Sequence, residues 1–264
     1  MEGRTIVITG ASGGIGAALA RRAAAAGAQV VLAARRAPEL NAVAAACGSG
    51  AFPLVTDVTR RGEVERLLDA AVARFGHVDA WVNNAGRGIT KPVSQLTDDE
   101  FDEMMRVNVK SALYGMQAVL PHFQTRGRGH IVNVSSMLGR VPFASWRSAY
   151  NASKHALNAL TASLRIELRE RWPEIHVTTV SPGVVATEFG VHALGDGADS
   201  PTLPNAQPVD EVADVILEVL RHPRADVYTR AGLRERVVAY FSADDMGAFE
   251  AGFAPAPAEP SKQN

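Results

Sequence analysis

Cysteine is nearly absent: Cys47 stands alone among 264 residues, which excludes an intrachain disulfide and any paired-cysteine zinc site. A chain that must stand on packing alone suits a reducing compartment, and a cytoplasmic location is expected. Surplus charge is missing as well, since 28 acidic and 27 basic side chains leave a formal net charge of -1. Without a global field to gather phosphate backbones or anionic lipids, neither nucleic acid nor a membrane surface is an expected partner. No apolar run reaches the ~20 residues of a membrane-spanning helix, because Arg, Asp or Pro interrupts each one. The opening MEGRTIVITGASGG has no basic segment followed by a long apolar stretch, so no signal peptide is expected. The histidines lack HExxH spacing and neighbouring cysteines, and no metal site is expected.

Hydrophobic residues make up 47% of the chain and charged residues 21%, enough apolar surface for a sizeable core. Short β-branched runs at Thr5–Thr9, Gln29–Leu32, Phe52–Val55, Ala80–Val82, His130–Val134, His176–Val180 and Asp226–Thr229 read as strands. Between them, Ile15–Ala26, Glu39–Cys47, Arg60–Phe75, Asp98–Arg126, Ala149–Arg171 and Asp210–Arg221 read as helices, with Thr97 and Asp210 as N-caps. This alternation predicts an α/β fold: a doubly wound parallel sheet of about seven strands in three layers, the Rossmann arrangement. No break in composition divides the chain, so residues 1–254 are expected to form one domain. Residues 188–208 are rich in Gly, Pro, Asp and Asn and read as a substrate loop, and 255–264 as a flexible tail.

Thr9-Gly10-Ala11-Ser12-Gly13-Gly14-Ile15-Gly16 follows the first strand and opens the first helix. Glycines there let backbone amides approach a pyrophosphate, and the helix N-terminus adds partial positive charge. Gly10, Ser12, Gly13, Gly14, Ile15 and Gly16 are therefore expected to contact a nucleotide. The P-loop Lys is missing, which argues against a triphosphate site. After the second strand, where an NAD-preferring fold places an acid for the ribose 2′-hydroxyl, the chain reads Ala33-Ala34-Arg35-Arg36. Arg35 and Arg36 suit a 2′-phosphate, and NADP(H) is predicted over NAD(H). The bland alternative is a surface helix that begins with two solvated arginines.

Val134-Ser135-Ser136 closes the fifth strand, and Tyr150-Asn151-Ala152-Ser153-Lys154 opens the next helix. Tyr150 and Lys154, at i and i+4, share a helix face, so the ammonium is expected to draw the phenol below its ordinary pKa of about 10. Both groups, with Ser136 and the glycine turn, belong to the carboxyl edge of the sheet, where open α/β folds bind ligands.

With these motifs in order, and with Asp57-Val58, NNAG at Asn83–Gly86, Asn108 and Pro182-Gly183 followed by Thr187, the chain closely resembles the short-chain dehydrogenase/reductase family through Thr187. The resemblance implies a hydride transfer between a nicotinamide and a carbonyl or alcohol, with Tyr150 as general acid/base. Ser136 would hydrogen-bond the substrate oxygen, Lys154 would bind the nicotinamide ribose while lowering the Tyr150 pKa, and Asn108 would hold a relay water. Asp57 and Val58 would contact the adenine, Asn84 and Gly86 would lie beside the adenine ribose, and Val185 and Thr187 would hold the carboxamide where the chain passes close at Pro182 and Gly183. Homodimers or homotetramers through the long helices are also implied. The 136–150 interval is one residue longer than is usual in the family, so a bulge is expected within Gly139–Ala149. Ser135 remains a second candidate for the hydroxyl.

Met137, Leu138, Phe143, Trp146, Phe189 and His192 are expected to line a mainly apolar substrate pocket, with Val141 and Arg87 beside them. Arg87 keeps a carboxylate-bearing substrate open. The competing function is a catalytically silent nucleotide-binding sensor or scaffold, whose mark would be a lost Tyr or Lys. An epimerase or dehydratase of the extended families would carry a larger C-terminal substrate domain, which is not expected here.

Overall fold

The computed structural model of the protein describes residues 1–195, 202–203 and 205–253. Strands and helices alternate as β1 (Thr5–Thr9), α1 (Gly14–Ala25), β2 (Gln29–Ala34), α2 (Ala37–Cys47), β3 (Ala51–Val55), α3 (Arg61–Phe75) and β4 (Ala80–Asn83). They continue as α4 (Asp98–Met105), α5 (Ser111–Arg126), β5 (Gly129–Val134), α6 (Ser148–Leu168), β6 (Ile175–Ser181), α7 (Val209–Arg221), β7 (Asp226–Tyr228), α8 (Leu233–Phe241) and α9 (Met246–Glu250). The seven strands form one sheet in the order β3-β2-β1-β4-β5-β6-β7, every pair parallel. The order turns back between β1 and β4, which opens a crevice at their carboxyl ends.

The expected fold class holds, and the strand period explains it. Ile6 and Ile8 of β1 face one layer, where they pack with Leu19 of α1, Leu40 of α2 and Ile216 of α7. Val7, between them, faces the other layer with Leu67 of α3, Phe123 of α5 and Leu168 of α6. Successive side chains point to opposite faces, so a run of β-branched residues feeds two cores at once. Pro53 is tolerated because β3 lies at the sheet edge.

Several boundaries differ from the sequence reading. Thr97 caps α4 in a reciprocal box: its Oγ1 accepts from Glu100 N at 3.3 Å, and its own N–H donates to the Glu100 carboxylate at 3.0 Å. Asp210 is not the cap of α7. That helix starts a residue earlier, behind the extended Pro208, and Asp210 lies in its first turn, where its charge favours the helix N-terminus. The single helix expected over Asp98–Arg126 is interrupted by a π-turn at Arg106–Lys110. One wider turn does not disturb hydrophobic periodicity enough to be read, but it carries Asn108 into the interior. α6 ends at Leu168 rather than Arg171.

Helices α8 and α9 were not anticipated, being too short for a clear period. Tyr240 meets Phe249 at 5.7 Å, and Phe253, just beyond α9, reaches back to Phe143 at 4.9 Å between ring centroids. The tail 255–264 and part of the 188–208 loop lie outside the described residues.

Candidate active site

The site begins at the turn between β1 and α1. Gly10 has φ +67°, and a Cβ there would lie 2.9 Å from the Cα of Ala85, so the chain passes where only glycine fits. A Cβ at Gly16 would collide with the Gly10 carbonyl oxygen. Asn84, at the end of β4, fastens the turn from the neighbouring strand: its Nδ2 donates to Thr9 O at 2.9 Å and Gly10 O at 3.3 Å. Gly10→Ala should therefore cost at least about 1–2 kcal/mol of unfolding free energy from the left-handed backbone alone. Urea denaturation reads the difference; an unchanged midpoint would refute this account of the turn. No side chain caps α1, and its first turn contains no acid, so the orphan amides of a helix N-terminus remain available to an anion.

A cavity of about 730 Å³ runs from this turn across the sheet edge. Gly10, Ser12, Gly13, Gly14 and Ile15 line its first part, and Arg35, Arg36, Asp57, Val58, Asn84 and Gly86 its flank. Ser136, Tyr150, Lys154, Pro182, Gly183, Val185 and Thr187 line the far part. Gly16 does not line it and acts through packing. Arg35 and Arg36 are both exposed at the end of β2. Arg36 Nε donates to Ser12 Oγ at 3.3 Å and its NH1 lies 3.6 Å from the Glu39 carboxylate. Burial pushes the Asp57 carboxyl up, but two hydrogen bonds from Thr59 and the charges of Arg35 and Arg106 outweigh it and hold the group below its ordinary pKa.

At the far part, Tyr150 is buried, and the Ser136 hydroxyl stands close enough to its phenol to pull the pKa down. Ser136 Oγ also accepts from Leu138 N at 3.1 Å, which fixes the hydroxyl on the strand end. Ser135 instead directs its Oγ to the Lys154 carbonyl at 3.5 Å. Lys154 Nζ donates to Val134 O at 2.9 Å and lies 5.7 Å from the Tyr150 ring centroid. The depressed tyrosine pKa expected from Lys154 is not found in this structure. Burial raises the phenol above its ordinary value, and the groups that pull it back are Ser136 and the Arg147 guanidinium. Burial also lowers Lys154 to about 8, since desolvation disfavours the ammonium.

That depression has a testable sign. Between pH 8 and the ordinary lysine value of 10.5, the unfolded chain holds a proton that the native Lys154 has released. Stability should therefore rise with pH across that window, and Lys154→Met should flatten the rise. Urea unfolding of both proteins at several pH values between these limits measures it; parallel curves would overturn the assignment.

Asn108 is buried behind the cavity and does not line it. Its Oδ1 accepts from Arg87 N at 2.8 Å, and its Nδ2 donates to Arg87 O at 2.9 Å and Ser153 Oγ at 3.0 Å. The side chain thus pins the strand-end segment after β4 to α6. Asn83 belongs to a separate interior network, accepting from Trp81 Nε1 at 2.8 Å and donating to Asn133 Oδ1 at 2.8 Å.

Of the expected substrate-pocket residues, Leu138, Phe189 and His192 line the cavity, and the Phe189 ring lies 5.6 Å from that of Tyr150. Met137, Phe143 and Trp146 do not, and neither does Val141. Met137 and Val141 turn into the interior, while Phe143 turns toward Phe253 and Arg236, whose guanidinium carbon lies 4.3 Å from its ring centroid. The helices that cover Phe143 were absent from the sequence reading, which is why it was misplaced. Arg87 lines the cavity but its NH1 lies 3.5 Å from Glu103. Arg147 was missed. Its place three residues before Tyr150 was the available signal.

The short chain dehydrogenase family model matches residues 4–194. The chain is 33% identical over 220 residues to an uncharacterized oxidoreductase of Staphylococcus epidermidis, covering 83% of this chain and 92% of that one. It superposes with a TM-score of 0.82 and 25% identity on a short chain dehydrogenase/reductase of Burkholderia phymatum in complex with NAD, over 97% of this chain and 98% of that one. An alcohol dehydrogenase of Thermococcus sibiricus, complexed with 5-hydroxy-NADP, superposes with a TM-score of 0.75 and 29% identity over 87% of this chain and 97% of that one. Family model, relatives and strand order agree, and the chain belongs to the short-chain dehydrogenase/reductase family of oxidoreductases.

Proposed function

We propose that this protein is an NADP(H)-dependent oxidoreductase that interconverts a carbonyl and an alcohol, with Tyr150 exchanging the proton. The observation that carries the reading is that Ser136, Tyr150 and Lys154 line one end of a cavity that starts at the uncapped glycine turn. The cavity suits a dinucleotide: anion-binding amides at one end, two exposed arginines beside them and a proton donor at the other.

Gly10, Ser12, Gly13, Gly14 and Ile15 would hold the pyrophosphate, and Arg35 and Arg36 the 2′-phosphate. Asp57, Val58, Asn84 and Gly86 would hold the adenosine half. Pro182, Gly183, Val185 and Thr187 would hold the carboxamide end, and Tyr150 and Lys154 the second ribose. When bound, the nicotinamide supplies or accepts the hydride. Tyr150 donates its proton to the developing alkoxide in reduction and takes it back in oxidation. Ser136 donates a hydrogen bond to the same oxygen, so charge that develops there meets a fixed dipole. Ser136 and Arg147 pull the phenol pKa back down, and the buried ring excludes water. Asn108 positions the wall that carries Arg87. Leu138, Phe189 and Val191 give the substrate an apolar wall, with His192 beside it.

Residues 1–254 are read as one catalytic unit with 188–208 as its substrate loop, active in the cytoplasm as a homo-oligomer. The reading is tested by following NADPH and, separately, NADH consumption with a panel of ketones, aldehydes and quinones. Turnover with NADPH that exceeds turnover with NADH is expected. Faster turnover with NADH would remove Arg35 and Arg36 from the 2′-phosphate, and failure to bind either dinucleotide would overturn the whole reading.

A further inference from the structure

Beside Lys154, two arginines line the substrate end of the cavity, Arg87 and Arg147, and among the described residues only Arg87 has a carboxylate partner. Arg87 lies 3.5 Å from the Glu103 carboxylate and Lys91 Nζ lies 2.7 Å from that of Glu100. Among the described residues Arg147 has neither a carboxylate within ion-pair distance nor any side-chain hydrogen bond besides a long 3.5 Å contact from NH1 to Ile89 O. The group is half-buried and lines the cavity beside Tyr150 and Phe189.

Its backbone is held on both sides. Arg147 N donates to Ala144 O at 3.0 Å, its carbonyl accepts from Asn151 N at 2.8 Å, and the residue forms a bridge with Lys91. Arg147 is the residue immediately before α6, three before Tyr150, and both line the same cavity. Gly88 leaves the space that the guanidinium occupies, since a Cβ there would lie 3.1 Å from Arg147 NH1. Burial without a partner holds the guanidinium pKa below its ordinary value, yet an arginine keeps its proton, and an unpaired buried charge is costly until something pairs with it.

We propose that Arg147 selects the substrate by pairing with a carboxylate that the carbonyl or alcohol compound carries a few atoms from its reacting carbon. The inference rests on the reductase reading for the carbonyl and adds the acid. The substrate class is an oxo acid or hydroxy acid whose aliphatic body lies against Leu138, Phe189 and Val191 while the guanidinium fork grips the carboxylate.

The experiment compares 2-, 3- and 4-oxopentanoate with their methyl esters, using NADPH and the wild-type, Arg147→Gln and Arg147→Lys proteins. In the wild type the best acid should exceed its ester in kcat/KM by roughly 10- to 100-fold. Arg147→Gln should erase that advantage mainly through KM, change the ester far less, and be partly rescued by Arg147→Lys. Equal use of acid and ester by the wild type, or an equal loss for both in Arg147→Gln, would overturn the proposal, the latter because it marks a residue that only tunes Tyr150. Calorimetric titration of unreactive pentanoate separates the two readings. Should no oxo compound be reduced, pentanoate binding lost in Arg147→Gln upholds the carboxylate site while the reductase reading falls, and absence of binding to the wild type sinks the carboxylate site.

Discussion

Tyr150→Phe should lower carbonyl reduction by about 10²- to 10⁴-fold, the range of a lost general acid, while NADPH affinity falls far less. The substitution removes one oxygen and keeps the ring, so the 5.6 Å contact with Phe189 and the packing under α6 persist. Ser136 loses the neighbouring hydroxyl but keeps the Leu138 amide, and the strand end should not move. Single-turnover absorbance of NADPH at high substrate measures the step, and fluorescence titration measures the dinucleotide. Retained turnover would place the proton elsewhere and sink the role assigned to Tyr150. Because burial raises the phenol, the acid form persists across neutral pH in the unliganded protein, which suits the reducing direction.

The second large effect concerns the dinucleotide's phosphate. Replacing Arg35 and Arg36 together by Ala should weaken NADPH binding by roughly 100-fold or more, as two charge-assisted contacts are lost, whereas NADH should weaken far less. Both side chains are exposed, so the wild-type preference should shrink as salt rises. The single changes should differ. Arg36 also holds Ser12 in the glycine turn, so Arg36→Ala loosens the pyrophosphate cradle for both dinucleotides. Arg35 shares the field of Asp57 and should act on the phosphate alone. Equal loss for NADPH and NADH in Arg35→Ala would make that residue a surface arginine and nothing more.

Local signals made much of this molecule legible. Thr97 announces the start of a helix and the glycines after β1 a strand-to-helix turn, while the structure adds the Glu100 half of the capping box and the close passage of Ala85 beside Gly10. What escaped reading depended on distant neighbours. The π-turn at Arg106–Lys110 hides within a periodic helix, yet it sets where Asn108 points. Phe143 follows a strand end and looks like pocket wall until α8, α9 and Phe253 cover it.

The order of strands and helices, the glycine turn, the absence of an acid after β2 and the Ser136, Tyr150 and Lys154 spacing are all properties of short contiguous segments. Periodicity and spacing survive any tertiary arrangement, so the sequence by itself determined the fold class and the family, and pointed to the carboxyl end of the sheet for the candidate site. Charge balance inside the site is different, because it depends on which groups meet after folding. The sequence names no partner for Arg87 or Arg147; only the folded chain gives Glu103 to the first and leaves the second without a carboxylate among the described residues. Likewise, i, i+4 spacing put Lys154 beside Tyr150, but the tertiary structure decided that desolvation, rather than the lysine charge, dominates the phenol, since the cost of burying a charge is set by everything packed around it.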